Sequence, residues 1–536
     1  VNVNKPRSLS LFPSTMPLFA STGGQKFRVD QFSINFNTNA TLNYKQTLGV
    51  NHNVNFLAGT EYKSLRSEYL SVSVQGFVDP SFSLVQSAST ISGAWEGNGK
   101  SVRIGFFGKT AYNFKHKYFA DFTLRRDGSS RFSPGKRFGN FYSGGLAWRL
   151  SEENFLRQNR FINNMKIRGS YGLTGNSEIG DFQYLQVYNT SSIPNYYQNS
   201  QSITLSRPEG LPFGWEESLQ SNLGLDVVIW NSRISGVVDF WRKDNRNLLF
   251  NKQLPIDAGF GAVLANVGKI RNQGIDIELS TINVLSGNFR WSSNLNLTFQ
   301  KNELLELPDG ADRLGNSLIV GEPIDFLWGA AYAGVDSETG KPMWYDKNGE
   351  RTYRVQDEDL KVIGDRFPDY FGGVSNTFSY KGFSLDILFQ FQGGLDTYTQ
   401  ELDGIEASGS NTFYNQLRSQ LNRWQKPGDV TNVPRPYDGG AEPGGSNMNI
   451  FSTKLLSDGS YLKLKQVTLA YDFPTMLLSK AGIKNARLYV QGFNLHTFTK
   501  SQSLDPEVVA GATPSNNLFV IFPTGQQYTM GVTLTF

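Results

Sequence analysis

The residue types that most often carry chemistry are few in this sequence. The three histidines, His52, His116 and His496, are far apart in the chain and lie mostly at the ends of predicted strands, so they do not predict a metal site. The 536 residues include no cysteine. Thiol chemistry and a disulfide scaffold are therefore excluded, and the composition is compatible with an envelope protein.

Two acidic segments have the composition of reactive sites but do not meet their requirements. Segment 346–350 begins like a calcium loop, yet Val355 stands where an EF-hand needs a glutamate. An Asn-Gly turn explains this segment better. Asp357, Glu358 and Asp359 could suggest glycosidase carboxylates, but charge runs in loops usually form solvated faces. We therefore predict no catalytic residue, no metal ligand, no cofactor and no enzyme activity.

Aromatic residues in the long polar segments are better candidates for binding, because exposed rings can stack on sugars or hold peptides. The residues predicted to contact a substrate or a covering partner are Tyr196, Tyr197, Trp215, Trp328, Trp344 and Trp424. Packing of the loops against one another, or contact with a covering partner, is favoured over direct substrate contact. A short amphipathic helix that packs within its loop is predicted from four residues at helical spacing. These are Phe413, Leu417, Leu421 and Trp424.

Strands must position these loops, because apolar and polar residues alternate along most of the chain. The last strand pattern runs from Gln527 to Phe536, with Tyr528, Met530, Val532, Leu534 and Phe536 on one face. A soluble protein usually frays at its terminus, whereas an outer-membrane barrel closes on its final strand. We therefore predict that Tyr528 and Phe536 form a barrel-assembly signal.

The composition agrees with a membrane barrel. Hydrophobic residues are 39% of the chain, and no run of 18 apolar residues occurs, so no helical membrane span is predicted. Mean hydropathy is −0.36. Aromatic residues reach 13%, as girdles at two bilayer interfaces require. The formal charge of +4 is small for this length and gives no case for nucleic-acid binding.

About fifteen segments follow the alternation, most of them near ten residues, which suits tilted transmembrane strands. The predicted strands are 31–46, 51–70, 102–114, 118–126, 139–150, 165–174, 217–230, 234–249, 270–281, 288–300, 370–380, 383–392, 460–473, 484–498 and 527–536. Short turns alternate with long connections at 71–101, 175–216, 301–369, 393–459 and 499–526. This rhythm predicts an all-β fold, an antiparallel transmembrane β-barrel in the outer membrane of a Gram-negative bacterium.

The topology also predicts orientation and domain limits. Short periplasmic turns and long extracellular loops place the C-terminus, Phe536, on the periplasmic side. Residues 1–30 are predicted to be an extracellular loop or the remnant of a preceding strand, and residues 31–536 to be the C-terminal portion of the barrel. The sequence starts at Val1 without the basic n-region and the apolar h-region of a secretory signal. Because export requires a signal, we expect the sequence to continue a longer polypeptide.

Several ordered motifs resemble one family. Residues 125–132 resemble the RxDGSSRF block of the SusC/RagA family of TonB-dependent outer-membrane transporters. Further matches follow in family order, at Ala147–Arg149, Lys166–Asn176, Asn266–Gly268, Asn272–Asp276, Arg423–Trp424, Ser460–Lys465 and Asp505–Glu507. Six or more ordered matches over nearly the whole chain are specific, whereas a single DGSS would be weak.

The resemblance implies a barrel of about 22 strands filled by an N-terminal plug that lies outside this sequence. It also implies coupling to TonB through an N-terminal box, contact with outer-membrane lipids, and a SusD-like lipoprotein that closes over the substrate. A dimer of transporter–lipoprotein pairs is further implied. The expected function is import of large nutrients, either oligosaccharides or oligopeptides.

Two alternatives from other classes remain open. The same barrel could serve as a passive porin or as a structural component of an outer-membrane complex such as a secretion machine. A soluble β-sandwich or propeller enzyme acting on glycans is disfavoured by the apolar terminal strand and by the rhythm of short turns and long loops.

Overall fold

A computed structural model of the chain describes most of its residues. The described residues are 1–79, 81–191, 202–208, 212–399, 402, 405–406, 408–409, 415–437, 445, 450–478, 482–503, 505–508 and 523–536. They divide into two compact units. Unit 1 contains Val1–Trp148, Gly169–Ser221 and Asn245–Lys269, and unit 2 contains Arg149–Arg168, Asn222–Asp244 and Ile270–Phe536.

Strands make up most of the described chain. In its first half they are β1 (Asn2–Asn4), β2 (Arg7–Phe12), β3 (Gln25–Leu48), β4 (His52–Phe77), β5 (Ala88–Phe114), β6 (Tyr118–Ser129), β7 (Phe138–Arg149), β8 (Ile162–Asn176), β9 (Val187–Ser191), β10 (Ser202–Arg207), β11 (Glu216–Ile229), β12 (Ile234–Arg246), β13 (Leu249–Gln253), β14 (Ala262–Asn266) and β15 (Lys269–Ser286).

The second half continues in the same way. Its strands are β16 (Phe289–Glu306), β17 (Arg313–Leu314), β18 (Leu318–Ile319), β19 (Phe326–Gly329), β20 (Ala331–Val335), β21 (Pro342–Tyr345), β22 (Arg351–Thr352), β23 (Lys361–Asp365), β24 (Tyr370–Tyr380), β25 (Phe383–Gly393), β26 (Asp396–Tyr398), β27 (Leu456–Asp458), β28 (Tyr461–Asp472), β29 (Asn485–Thr499) and β30 (Gln527–Thr535).

Helices are short throughout the described residues. One α-helical turn, α1, covers Thr475–Leu478. The 3₁₀ turns are Pro17–Phe19, Val85–Ser87, Leu150–Glu152, Ile256–Ala258, Pro308–Gly310, Asp357–Asp359, Arg418–Asn422 and Thr453–Leu455. No helix in the described ranges combines the length and the hydropathy needed to cross a membrane.

Each predicted long strand coincides with an observed one, and the all-β prediction is confirmed. The prediction of a long connection at 71–101 is wrong, because β4 extends to Phe77 and β5 begins at Ala88. Serines and glycines dilute the apolar alternation there, but the backbone pairing continues, with Ser71 opposite Trp95. Pairing depends on backbone groups, so it does not need the side-chain pattern that the prediction used. Near the N-terminus, β1 and β2 both pair with β3.

The strand register of unit 2 separates apolar from polar side chains. Strands β16, β24, β25, β28, β29 and β30 pair antiparallel in that order. One rung across these six strands is apolar and consists of Trp291, Phe378, Leu385, Leu469, Val490 and Met530. The next rung is polar and consists of Ser292, Thr377, Asp386, Thr468, Gln491 and Thr529. Because the strand period is two, the sheet has one apolar face and one polar face.

Unit 1 repeats this separation in strands β3 to β7, which pair in sequence order. One apolar rung consists of Leu42, Ala58, Gly108, Leu124 and Tyr142. The side chain of Leu42 is 74% exposed, and exposed apolar residues recur on this face. Such a surface suits lipid better than water.

A β-bulge interrupts the wall of unit 2. The register shifts where Leu388 and Phe389 of β25 face Gln466 and Leu464 of β28, so Lys465 is an extra residue. Such a bulge lets the residues before and after it keep their own faces. As a result, Lys463 shares the polar face with Gln466, although the two residues are three positions apart.

Candidate binding site in the long loops

The long connections of unit 2 fold into a structure that we call the loop platform, residues 307–368, 415–437 and 450–458. Within it, β19 pairs with β23, and β20, β21 and β22 form a three-stranded sheet. Backbone hydrogen bonds join distant parts of the sequence within the loop platform. The Ala330 amide donates to the Phe451 carbonyl over 2.9 Å, and the Thr453 amide donates to the Ala330 carbonyl over 3.0 Å.

A buried core holds the loop platform together. The Trp344 side chain is only 1% exposed, and its ring lies 6.1 Å from that of Tyr332. Leu327 and Ala330 are buried in the same region. Burial also raises the pKa of the Tyr332 hydroxyl above its ordinary value. Trp344 therefore acts in this structure as a core residue of the platform.

Trp424 fastens a second segment to the platform. Its indole Nε1 donates to the Ser337 carbonyl over 2.8 Å. The ring also lies over Gly340, where an added Cβ would come 2.5 Å from a ring carbon. Gly340 has a φ of +71°, so both its conformation and its surroundings favour glycine. Trp424 thus joins residues 415–437 to the turn before β21.

Asp336 organises the turn on which Trp424 rests. Its carboxylate accepts hydrogen bonds from the hydroxyls of Thr339 at 2.5 Å and Tyr353 at 2.6 Å, and from the Glu338 amide at 2.9 Å. The Thr339 and Tyr353 hydrogen bonds lower the pKa of Asp336 to about 2. The carboxylate is thus held ionised by neutral donors, which is a structural arrangement.

The two acidic segments have structural roles in the platform. Asp346 accepts the amides of Asn348 at 2.9 Å and Glu350 at 2.8 Å, so the predicted turn is confirmed. The prediction that residues 357–359 form a solvated face is wrong for Asp359, which is buried. Its carboxylate accepts the amides of Lys347 and Gln356, at 2.9 and 2.7 Å. Burial is tolerated because backbone donors satisfy the charge.

Two further predictions fall on the platform. Trp328 is half-buried, with the Phe326 ring at 6.2 Å and the Arg313 guanidinium 5.3 Å from its own ring. The predicted amphipathic helix is a 3₁₀ turn over Arg418–Asn422, and Leu421 is 64% exposed, so the predicted packing within the loop is wrong there. Phe413 lies outside the described residues.

Unit 1 has its own aromatic cluster beside the ends of β6 and β7. Trp215 lies 5.1 Å from Phe132 and 5.2 Å from Phe141, measured between ring centroids. Its Nε1 donates to the Arg137 carbonyl over 3.0 Å. Phe132 and Phe213 are fully buried. Loop packing, the explanation that the sequence favoured, accounts for these contacts.

Residues of the RxDGSSRF block, 125–132, form ion pairs beside this cluster. Arg125 pairs with Asp127 at 2.6 Å and with Glu61 at 2.8 Å, all on the polar face of β4 and β6. Arg131 pairs with Asp181 at 2.8 Å and Glu178 at 2.9 Å. The block thus ties the strand ends to the loop after β8.

Unit 2 contains a buried charge cluster that the sequence argument missed. The ammonium group of Lys463, 2% exposed, lies 2.6 Å from the Glu507 carboxylate, 3.3 Å from that of Asp505 and 2.8 Å from the Thr524 hydroxyl. Lys465 also pairs with Glu507. Lys463 and Asp505–Glu507 both lie in motifs that match the family, but those motifs do not indicate that the residues contact one another.

The charge cluster fastens both ends of the 500–526 segment to the wall. The Thr524 amide donates to Asp505 over 2.9 Å, so positions near the two ends of the segment meet at one lysine. Burial raises the pKa values of Asp505 and Glu507, but hydrogen bonds from Thr524 to Asp505 and from the two lysines to Glu507 outweigh it, and both are lowered. The two carboxylates are therefore ionised and paired.

The other predicted site residues lie elsewhere. Tyr196 and Tyr197 are outside the described residues. Tyr528 lies in β30, where its side chain is 70% exposed, and Phe536 directly follows β30 with 72% exposure. Their role in assembly stays a prediction, as does contact of Trp215, Trp328, Trp344 and Trp424 with a substrate or a partner.

Comparisons with known proteins agree on the type of barrel. Residues 6–495 match the family described as TonB dependent receptor-like, beta-barrel. TonB-dependent receptor P3 of Formosa agariphila is 28% identical, over 98% of this chain and 54% of that protein. TonB-dependent receptor SusC of Bacteroides thetaiotaomicron is 26% identical, over 82% of this chain and 44% of that protein. The chain thus spans about half the length of these curated relatives.

Solved structures give the same answer. A chain from the structure of the RagAB peptide transporter superposes with a TM-score of 0.87 at 27% identity, covering 100% of this chain and 59% of that one. The same complex in its open-open state gives a TM-score of 0.88. With the alternating faces of both units, these matches show that the chain belongs to the TonB-dependent receptor-like β-barrel family of the outer membrane and resembles its SusC and RagA members.

Proposed function

We propose that residues 31–536 form the C-terminal portion of the wall of a TonB-coupled importer, with the C-terminus on the periplasmic side. The importer takes up oligosaccharides or oligopeptides that are too large for passive diffusion. Its long loops carry a SusD-like surface lipoprotein that encloses the substrate, and two such pairs form a dimer. The similarity to the RagAB peptide transporter supports the oligopeptide class.

One observation carries this proposal, namely the loop platform of unit 2. A barrel needs only short connections between neighbouring strands, yet these residues build small sheets of their own, one of which contains the buried Trp344. A folded loop structure with its own core offers a stable docking surface, and long ordered loops are usually functional. A standard partner would bury on the order of 1,600 Å² against such a surface.

The experiment combines capture and uptake. The protein is purified from its outer membrane in detergent, and co-purifying lipoproteins are identified by mass spectrometry. Cells then receive fluorescent oligopeptides and oligosaccharides, with and without a protonophore. The proposal predicts one stoichiometric lipoprotein and uptake of one cargo class that stops without the proton gradient.

The other outcomes select the alternatives. Uptake that continues without the gradient would support a passive porin. Recovery of secretion components without any lipoprotein would support a structural role.

The variant Trp424→Ala sharpens the test, because it removes the hydrogen bond and the ring contact that attach residues 415–437 to the rest of the platform. Trp95→Ala is the matched control, since this tryptophan lies 54% exposed on β5.

A further inference from the structure

The strand ends at the short turns carry rows of aromatic side chains. In unit 1 the row consists of His52, Phe114, Tyr118 and Trp148, one from each of four neighbouring strands and opposite one another in register. Their ring centroids are separated by 4.7, 6.2 and 6.3 Å along the row. These residues share the apolar face with Leu42 and Leu124.

Unit 2 carries an equivalent row. It consists of Phe289, Tyr380, Phe383 and Tyr471, again opposite one another on four paired strands. Phe383 and Tyr471 are 4.5 Å apart between ring centroids. Aromatic side chains concentrate where a barrel meets the lipid headgroups. Each row therefore marks a membrane interface at the short-turn end of its own unit.

A cation lies over an aromatic ring at each of these turns. The ammonium group of Lys115 is 5.2 Å from the centre of the Phe114 ring, and that of Lys381 is 5.4 Å from the centre of the Tyr380 ring. A third short turn places the Arg233 guanidinium 5.3 Å from the Trp230 ring. Among the described residues, no carboxylate forms an ion pair with these three cations. Their charge is thus available to a ligand.

The backbone of the two lysines is unusual. Lys115 has a φ of 53° in the three-residue turn 115–117, where His116 has a φ of 54°. Lys381 has a φ of 45° in a two-residue turn completed by Gly382 at 88°. Glycine or asparagine suits these positions better, because a Cβ makes the left-handed conformation unfavourable. Each turn nevertheless has a lysine there, with its ammonium group over the ring that ends the preceding strand. Such strain is a reason to look for function.

We propose that Lys115 and Lys381 each bind the phosphate of an anionic phospholipid headgroup beside their aromatic row. The apolar face below each row is in contact with acyl chains, the rings lie at the glycerol level, and the ammonium group reaches the phosphate. Short turns of bacterial barrels lie on the periplasmic side, where the leaflet consists of phospholipid. The ligand is therefore a glycerophospholipid with a net negative charge, such as phosphatidylglycerol.

Native mass spectrometry of the intact protein, purified from its outer membrane and then delipidated, tests this proposal. Phosphatidylglycerol and phosphatidylethanolamine with identical acyl chains are added in competition. We expect wild type to prefer phosphatidylglycerol, and each of Lys115→Gln and Lys381→Gln to reduce that preference roughly five-fold. The controls Lys100→Gln and Lys347→Gln, away from the short turns, should leave the preference unchanged. Lys115→Arg and Lys381→Arg should retain it, because the cation remains.

Three results would overturn the proposal. The first is equal retention of the two phospholipids by wild type. The second is an unchanged preference in the Lys115→Gln, Lys381→Gln double variant. The third is a loss of lipopolysaccharide rather than phosphatidylglycerol among the lipids that co-purify with that variant before delipidation, which would place the turns in the other leaflet. Heat-modifiable migration on gels confirms that each variant is folded before its lipids are compared.

Discussion

The strand wall and the loop platform of unit 2 use large apolar side chains in opposite ways. On β30, Tyr528 and Met530 are each 70% exposed. In the platform, Trp344 is 1% exposed, and Ala330 and Leu327 are buried. The wall therefore depends on a surrounding apolar medium, whereas the platform contains its own core.

This contrast shows that the two regions derive stability from different sources. The wall is held by backbone ladders and by transfer of its outer face into lipid. The platform is held by burial, by side-chain bonds to backbone groups and by turns such as that of Asp336. A change that damages one region should leave the other nearly intact, and this expectation can be tested.

The largest effect is expected for Trp344→Ala. Removing a buried indole should destabilise the platform by about 3–5 kcal/mol, because the cavity cannot refill. Trypsin added to intact cells should then cleave within residues 307–368, while the barrel keeps its heat-modifiable migration. Trp95→Ala, which removes an exposed ring, should not increase cleavage. A wall that unfolds together with the platform would contradict the separation of the two regions.

The next effect is expected for Lys463→Met, at the junction between wall and loop. Loss of this lysine leaves Asp505 buried without its cation, which should cost about 3 kcal/mol. The value is at the lower end for buried pairs because Lys465 still pairs with Glu507. Faster hydrogen exchange around residues 505–508 and 523–526 would reveal it. Lys347→Met, which removes an exposed pair with Glu358, should cost less than about 1 kcal/mol.

A smaller effect is expected for the wall itself. Leu534→Asp places a charge on the lipid face near the end of β30 and should cost less than about 1 kcal/mol of insertion free energy. Deletion of Phe536 should also lower the surface yield if the terminal aromatic residue is an assembly signal. Surface labelling of whole cells measures both. Thr533→Asp changes the opposite face and serves as the control, and equal losses in all three variants would argue against the assignment of faces.

The smallest effect is expected on the stability of the loop platform at acid pH. Because the folded pKa of Asp336 is depressed to about 2, its contribution is complete above the ordinary value near 4 and is lost as pH falls toward 2. Pepsin digestion between pH 4 and pH 2 should therefore release peptides around residues 336–353 increasingly as pH falls. Asp336→Asn should remove this pH dependence, and an unchanged dependence in that variant would assign it to another group.

The wall could be predicted from the sequence because its signal is local. Alternation at Leu295 and Leu297 gives the faces of β16 without knowledge of any partner strand. The ends of β4 and β5 were not predictable in this way, because serines and glycines there leave only backbone pairing. The prediction failed where the side-chain pattern ends and the ladder continues.

The platform could not be predicted because its contacts join distant segments. Trp344 has the composition of an exposed binding residue, and only the β20–β21 pairing shows that it is buried. Asp359 likewise belongs to a charge run, and its burial depends on the amide of Lys347 twelve residues away. The Lys463 cluster needed a fold that brings Asp505 to β28, although both residues were part of recognised motifs.

The extra residue at Lys465 has a consequence for how this wall can change in evolution. A strand that loses or gains one residue exchanges its inner and outer faces beyond that point. Deletion of Lys465 would leave Lys463 on the polar side and Val467 and Leu469 on the apolar side, because the bulge holds the one residue that the ladder does not pair. Wall strands can therefore change length only in steps of two, or by one residue with a compensating bulge, whereas the loops can drift one residue at a time.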